Sequence, residues 1–460
     1  MGLSWFGIFR VGLVQTALGA IIVLTTSTLN RVMVVELALP AMLPGALVAF
    51  HYAVQMLRPR WGHGSDGGRR RTPWIVGGMV VLASGGVLAA IGTALMAQST
   101  AWGVAVATLA FLLIGIGVGA AGTNLLVFLA TSVAPARRAA AASIVWMMMI
   151  AGFVVTAIFA GQFLDPFTMT RLVEVTASVG AIALAVTLLA LWGLERGLRA
   201  RAETPLGAEQ AKQDTPFMEA LREVWSEPKA RQFTVFVFIS MLAYSAQDLI
   251  LEPFAGLVFG MTPGESTKLA GVQNGGVLLG MVLVAVAGSG FNKRPIGSLK
   301  LWTVGGCIGS GIVLACLAVS GHVGVGWPLK ATVFALGLTN GAFAVAAIGS
   351  MMMLANEGHG SREGVRMGLW GAAQGIAFGL GGFAGTVAGD AVRAAVGSPL
   401  MAYSTVFAAE GVLFIVAAVL ALRIDGAPRP VFQASGRAEP ARPSFTPAAA
   451  EGYMSGLGGA

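Results

Sequence analysis

Two side chains four residues apart, His51 and Gln55, can do chemistry that the apolar sequence around them cannot. That spacing puts both on one face of a helix, with Arg58 one turn further on. A neutral imidazole is a good axial ligand for magnesium or another chelated metal, and an amide oxygen is a weaker one. The structural alternative for His51 is a hydrogen bond to a neighbouring helix. Trp146 and the run Met147-Met148-Met149, with Phe153 and Phe159 following, form a soft, polarizable surface. Trp146 and Met149 on that surface suit a flat macrocycle or an apolar partner helix as well as plain lipid contact. Glu410 is the ionisable residue nearest the middle of an apolar run, and Asp390, Asp248 and Glu252 lie closer to the ends of theirs. A carboxylate at such depth either carries a proton in a coupled transporter or faces a neighbour's hydroxyl or backbone.

These residues sit in segments that must cross a membrane. Of the 460 residues 56% are hydrophobic and 11% charged, whereas a soluble domain carries roughly a quarter charged residues. Apolar stretches of spanning length run near 11–29, 39–57, 74–97, 103–131, 140–163, 175–195, 232–251, 267–290, 298–319, 327–354, 366–388 and 401–422. The first stretch reads as a retained helix and not a cleaved signal, because no small-residue cleavage site followed by a polar start accompanies it. The expected fold class is all-α integral membrane, with twelve transmembrane helices.

Lysine and arginine orient these spans. With the N-terminus inside, only Arg31, Arg171, Lys268, Lys330 and Arg393 fall on the far side, leaving 24 of the 29 basic residues cytoplasmic. Both termini are therefore expected inside. The formal charge of +8 is accounted for by topology and the anionic inner leaflet, so a nucleic-acid partner has no support. Cys307 and Cys316 share one span nine positions apart, about 13 Å by helical rise, too far for a disulfide. No phosphate loop, His-Glu-x-x-His string or Cys/His zinc spacing is present, so the chain reads as a non-enzyme.

The chain repeats itself weakly at an offset near 220 residues. Gly115-Ile-Gly-Val-Gly119 matches Gly337-Leu-Thr-Asn-Gly341, Arg138 and Trp146 match Arg362 and Trp370, and Asn30-Arg31 with Glu36 parallels Gln247-Asp248 with Glu252. Two pseudo-symmetric six-helix halves, 1–195 and 232–423, follow from these echoes. Between them the charged linker 196–231 holds a helix signal, Thr215 as cap and Pro216 first, with Phe217, Ala220, Leu221, Val224 and Trp225 at helical spacing. An amphipathic helix lying on the membrane surface fits best, with packing against the cytoplasmic ends of the bundle as the alternative. The tail 424–460, rich in Ala, Pro, Gly and Ser, is expected to be disordered. Pairs such as Gly115/Gly119, Gly271/Gly275 and Gly381/Gly385 are expected to bring helices of this chain close together.

The charges at the ends of the first and seventh spans have opposite signs. Arg31 beside Glu36 on one, and Asp248 with Glu252 on the other, suggest a gate closed by Arg31 with Asp248 or Glu252; solvated charges at helix ends are the alternative. A second latch is expected in the loop from Arg58 to Pro73, where Asp66 can cap a helix N-terminus or pair with an arginine such as Arg70. With Gly62, Asp66, Gly68 and the cluster Arg69 to Arg71, this loop resembles the motif between the second and third helices of the major facilitator superfamily. Its second glycine comes one residue early.

A narrower resemblance rests on four strings: Thr28-Leu-Asn-Arg-Val-Met-Val-Val-Glu36-Leu37, Arg70-Arg-Thr-Pro-Trp-Ile75, Gln247-Asp-Leu-Ile-Leu-Glu-Pro-Phe254 and Trp370-Gly-Ala-Ala-Gln374. They resemble the PucC/LhaA group, the bacteriochlorophyll delivery family of that superfamily, over residues 8–423. The resemblance implies a membrane chaperone of purple phototrophic bacteria that helps assemble light-harvesting complexes. It implies bacteriochlorophyll as ligand, with a carotenoid as a second candidate, and antenna polypeptides as partners. Late pigment-synthesis enzymes and the reaction-centre complex are further candidate partners, and the place of action is the inner, intracytoplasmic membrane. A secondary transporter of a small apolar or amphipathic solute, coupled through Glu410, remains the competing reading.

Overall fold

A computed structural model describes residues 3–56, 71–134, 137–195, 217–289, 296–357 and 363–424. The described chain is helical almost throughout: α1 (Trp5–Glu36), α2 (Met42–Gln55), α3 (Thr72–Met96), α4 (Thr100–Ser132), α5 (Arg138–Phe163), α6 (Met169–Leu191), α7 (Phe217–Ser226), α8 (Pro228–Phe259), α9 (Pro263–Ser289), α10 (Leu299–Val323), α11 (Leu329–Glu357), α12 (Glu363–Val396) and α13 (Pro399–Arg423). Among the described residues eleven helices are long and apolar enough to cross a membrane. The expected second span appears as α2, whose described part is 14 residues long.

The first six helices pair as α1 with α5 and α6, α3 with α4 and α6, and α2 with α4. The same pairings recur among the last six: α8 with α12 and α13, α10 with α11 and α13, and α9 with α11. The two groups meet along three seams, α1 against α8, α2 against α12 and α5 against α9. Because lipid supplies no hydrophobic drive between helices, close backbone approach has to hold such seams. Glycines provide it on the α5–α9 seam, where Gly271 lies against α5, and within each group, where Gly115 lies against the His51 carbonyl of α2 and Gly381 and Gly385 against α8. Gly275 faces open space instead.

Charged side chains close helix ends at the end of the bundle that carries the chain N-terminus, the near end. The Arg10 guanidinium donates to the Ala190 carbonyl at the end of α6, at 2.9 Å. Glu195 accepts from the backbone N–H groups of Arg71 and Thr72 at the start of α3, at 3.0 and 3.2 Å. Each places a charge of the sign that the helix dipole favours.

The linker helix α7 packs against α8 and α12, and Val224 is buried in the same core as Phe233 and Trp370. It packs on the ends of α8 and α12 while Trp225 stays exposed. Its expected cap, Thr215, lies outside the described residues, as do the loop with Asp66 and Arg70, Arg362, and the tail from 425 onward.

Candidate functional site

The two most specific strings of the sequence meet at the far end of the bundle, opposite the N-terminus. In α1 the α-helical turn widens twice to a π turn, at Leu24–Thr28 and Val32–Glu36. Such turns shift the helical register locally and recur at functional sites. Here Ser27, Thr28, Asn30 and Arg31 are all buried, and all reach the second helix group. Opposite them α8 continues through Pro253, which has no N–H to give the Leu249 carbonyl four residues earlier. The Asn30 amide donates to that carbonyl in its place. The sequence alone suggested that this span stops near Leu251; Asn30 explains why it runs on to Phe259.

Asn30→Ala is expected to cost about 1–3 kcal/mol, the price of an unpaired buried acceptor. Pro253→Ala restores the missing N–H, so the double variant should lose much less than the two single effects added. A double-mutant cycle on unfolding in detergent measures this coupling; strict additivity would exclude the exchange of partners.

Arg31 does not pair with Asp248 or Glu252. Its guanidinium donates to Glu36 in its own helix and, at 2.6 Å, to the Met261 carbonyl just past α8. α8 ends on Gly260 in the left-handed region (φ 67°), whose N–H and that of Met261 return to Gly256 and Ala255 carbonyls. A cation over this end meets the negative pole of the helix, and Gly256 leaves it room: a Cβ there would lie 3.1 Å from Arg31 Nη2. Glu252 is engaged instead by the Ser27 hydroxyl, with Ser266 Oγ 3.3 Å from its second oxygen. Thr28 and Thr267 hydroxyls bond at 3.1 Å.

Asp165, which the sequence did not single out, completes the closure. Its carboxylate accepts from Thr262 Oγ1 at 2.8 Å and from the Gly264 N–H at 3.2 Å, at the positive start of α9. Asp390 accepts from the Met42 N–H at 2.7 Å on the α2–α12 seam. The first helix group thus holds the turn between α8 and α9 at both ends, with a cation at one and an anion at the other. The far end is closed by these bonds.

The candidate metal-ligand pair is placed differently from expectation. His51 is 1% exposed, its Nδ1 lies 2.6 Å from the Val48 carbonyl, and its ring packs on Tyr52 and Phe111. Gln55 is buried as well. No face of either side chain is open to a macrocycle, so this pair does not fit an axial ligand set in this conformation. Met149 is elsewhere, accepting a contact from Gln15 Nε2 at 3.1 Å, and Trp146 is 36% exposed. His51 and Gln55 are therefore not gathered with Trp146 and Met149 into one site. The methionine run is not plain lipid surface either: Gly12 lies against Met148, and Met147 and Met149 pack on the cluster of Ile150, Val277 and Met281 across the α5–α9 seam.

Glu410 is 2% exposed, and among the described residues neither oxygen has a hydrogen-bond partner. It thus lacks the hydroxyl or backbone partner expected of a structural carboxylate. Asp248 is half-buried on α8, one helical turn from Tyr244. Tyr244, Phe378 and Tyr52 form a row of rings joining α8, α12 and α2, with centroids 5.8 Å apart at each step. No sequence periodicity marks that row, since its members come from three distant segments.

Comparison with known proteins places this architecture. The nucleoside transporter NupG superposes with a TM-score of 0.65 at 12% identity, covering 91% of this chain and 99% of that one. The peptide transporter POT in complex with sulfate does so at 0.64 and 14%, covering 92% and 96%. These likenesses show that the chain shares the fold of those two transporters. In sequence, the bacteriochlorophyll synthase 44.5 kDa chain of Rhodobacter capsulatus is 53% identical over 431 residues, covering 93% of this chain and 97% of that one. Protein PucC of the same species is 30% identical over 435 residues, covering 90% and 91%. The family model described as PUCC protein matches residues 28–427, including the Asn30 and Pro253 strings that the fold joins. This multi-pass membrane chain belongs to the PucC family.

Proposed function

We propose that this protein is an assembly factor for light-harvesting complexes in a purple phototrophic bacterium, holding bacteriochlorophyll and handing it to antenna polypeptides. The observation that carries the reading is 53% identity across nearly the whole length to a chain named for bacteriochlorophyll synthesis. The aromatic row of Tyr52, Tyr244 and Phe378 between the helix groups supports an apolar, planar cargo. Twelve spanning helices in two six-helix halves, 1–195 and 232–423, belong to this reading and are supported by the recurring helix pairings. Both termini on the cytoplasmic side of the inner membrane are supported by the distribution of arginine and lysine. Late pigment-synthesis enzymes and the reaction-centre complex are natural neighbours on either side of such a hand-over.

A secondary transporter of a small amphipathic solute is favoured by one observation, the hydrogen-bonded closure of the far end, which alternating access also uses. Gentle purification from a pigment-producing host separates the two. Bacteriochlorophyll absorbance migrating with the protein, together with loss of antenna complexes on deletion of the gene, is the expected result. A pigment-free preparation that moved a water-soluble solute in proteoliposomes would replace assembly with transport.

A further inference from the structure

The two helix groups are joined unevenly along the length of the bundle. Seven hydrogen bonds cross between them in its far half. Ser27 reaches Glu252, Thr28 reaches Thr267, Asn30 reaches the Leu249 carbonyl and Arg31 the Met261 carbonyl. Asp165 accepts from Thr262 and Gly264, and Asp390 from Met42. α1 meets α8 through Leu24 to Glu36, the stretch that carries both π turns.

What these bonds reach matters more than their number. Leu249 and Met261 offer backbone carbonyls that the second group does not pair by itself, the one because Pro253 has no N–H and the other because α8 has already ended on Gly260. The Gly264 N–H belongs to the first turn of α9, where an intrahelical acceptor is lacking. The first group thus finishes the secondary structure of the second. In a gate made of side-chain pairs each helix stays complete when the pair parts. Separating the groups here would instead unmake part of α8 and α9.

The packing follows the same division. Gly161 of α5 and Gly264 of α9 lie backbone to backbone, with a Cβ on Gly161 standing 2.7 Å from the Gly264 oxygen, and Gly45 of α2 lies against Thr386 of α12. Toward the near end the α5–α9 seam passes to Met147, Met149 and Met281 around Ile150 and Val277. Methionines repack readily. On the other seam the ring of Tyr52 meets Phe378, and nearer still Gly375 and Gly371 meet nothing within 4 Å among the described residues. The seam is hard at the far end and soft at the near end.

We infer that the far end is a permanent hinge and not a gate: the two groups swing about the bonds of Ser27 to Arg31, Asp165 and Asp390, and opening is confined to the near end. Cargo then enters and leaves on one side. A hinge of this kind absorbs the motion of two bodies at a few element ends. The inference does not depend on what the cargo is. It does separate this chain from a transporter, which must open at both ends in turn.

The experiment places pairs of spin labels on cysteines in a background of Cys307→Ala and Cys316→Ala, with the protein in lipid nanodiscs. One pair takes exposed far-end positions, Trp102→Cys and Val325→Cys, and the other exposed near-end positions, Trp192→Cys and Leu301→Cys. Leu422→Cys replaces Leu301→Cys if that chain does not fold. Double electron–electron resonance should give one narrow distance for the far pair, with or without bacteriochlorophyll a, and a broad or divided distribution for the near pair. A second, longer far distance overturns the hinge, and a single near distance that pigment leaves unchanged overturns the opening. Arg31→Gln with Asp165→Asn frees both ends of the α8–α9 turn and should broaden the far distance; an unchanged peak removes these bonds from the hinge. A disulfide formed between Thr28→Cys and Thr267→Cys, whose hydroxyls lie 3.1 Å apart, should leave the near distribution as broad as before. A near end narrowed by that lock would show a gate. These readouts involve no antenna complex, so failure of the assembly reading and failure of the hinge are told apart.

Discussion

Gly341→Leu is expected to abolish the folded bundle. Along the crossing of α9 and α11 four glycines alternate, and each lies against a carbonyl of the other helix. A Cβ at Gly337 would stand 1.9 Å from the Gln273 oxygen, and one at Gly341 2.0 Å from that of Val277. From the other side, one at Gly280 would stand 2.1 Å from the Leu338 oxygen, and one at Gly276 2.3 Å from that of Phe334. The obstructing atoms are backbone, so no rotamer change can relieve them, and the helices themselves must separate. Overpacking into a tight site costs about 1–3 kcal/mol when neighbours can adjust. A leucine here exceeds that range, because separating the helices also gives up the close packing that membrane helices depend on. Gly341→Ala should already lower the melting temperature in detergent, and Gly341→Leu should elute as aggregate. Gly305, where a Cβ meets nothing within 4 Å, supplies the control: Gly305→Ala should be close to neutral, and equal damage at both positions would refute the crossing as the cause.

Removing Glu227 should be the next most damaging change. Its carboxylate, at the start of α8, accepts a bidentate pair from Arg366 of α12, Nε at 3.0 Å and Nη2 at 2.6 Å. The guanidinium is 1% exposed and the carboxylate side chain 27%. Just beside it the Trp370 indole points to the Ala230 carbonyl at 3.4 Å and packs edge-on against Phe233, 4.9 Å between centroids. Glu227→Ala takes its bidentate partner from the buried cation, and breaking a buried pair typically costs up to about 3–5 kcal/mol. Arg366→Met should cost less, since Glu227 keeps a path to water and the methionine can fill the vacated space. The order of the two melting temperatures is the measurement; equal values would mean that the pair is not read by its burial. Because this pair ties the linker end of α8 to α12, its loss should also loosen α7, whose Val224 rests on the same core.

The echo between Trp146 and Trp370 shows what a linear repeat can and cannot say. Both tryptophans lie near the start of corresponding helices, yet one is 36% exposed and the other 1%. Position in the chain follows from the repeat, whereas burial depends on what stands opposite. For Trp370 that is Phe233 and a linker helix that exists only between the halves. The charges at the far end carry the same lesson. Opposite signs on α1 and α8 suggested a pair; Arg31 instead pairs with Glu36 of its own helix, and across the seam it meets a helix end, a source of negative potential that no residue letter spells out. Asp165 was passed over for the same reason, since its partner is the start of α9 and not a basic side chain.

By itself, the sequence determined what depends on composition and on order along the chain. Length and polarity of the apolar runs follow from the bilayer's thickness, orientation from the placement of arginine and lysine, and family from strings that lie close together in the chain. Only the tertiary structure decided which side chains meet. It joined Asn30 to the carbonyl freed by Pro253, buried the His51 ring against Phe111 of α4, and brought Tyr52, Tyr244 and Phe378 together from three helices. The physical reason is that helical periodicity gives each residue a face but not a partner. Partners are set by the glycine-tight crossings and π turns that fix how far, and at what register, one helix lies against the next.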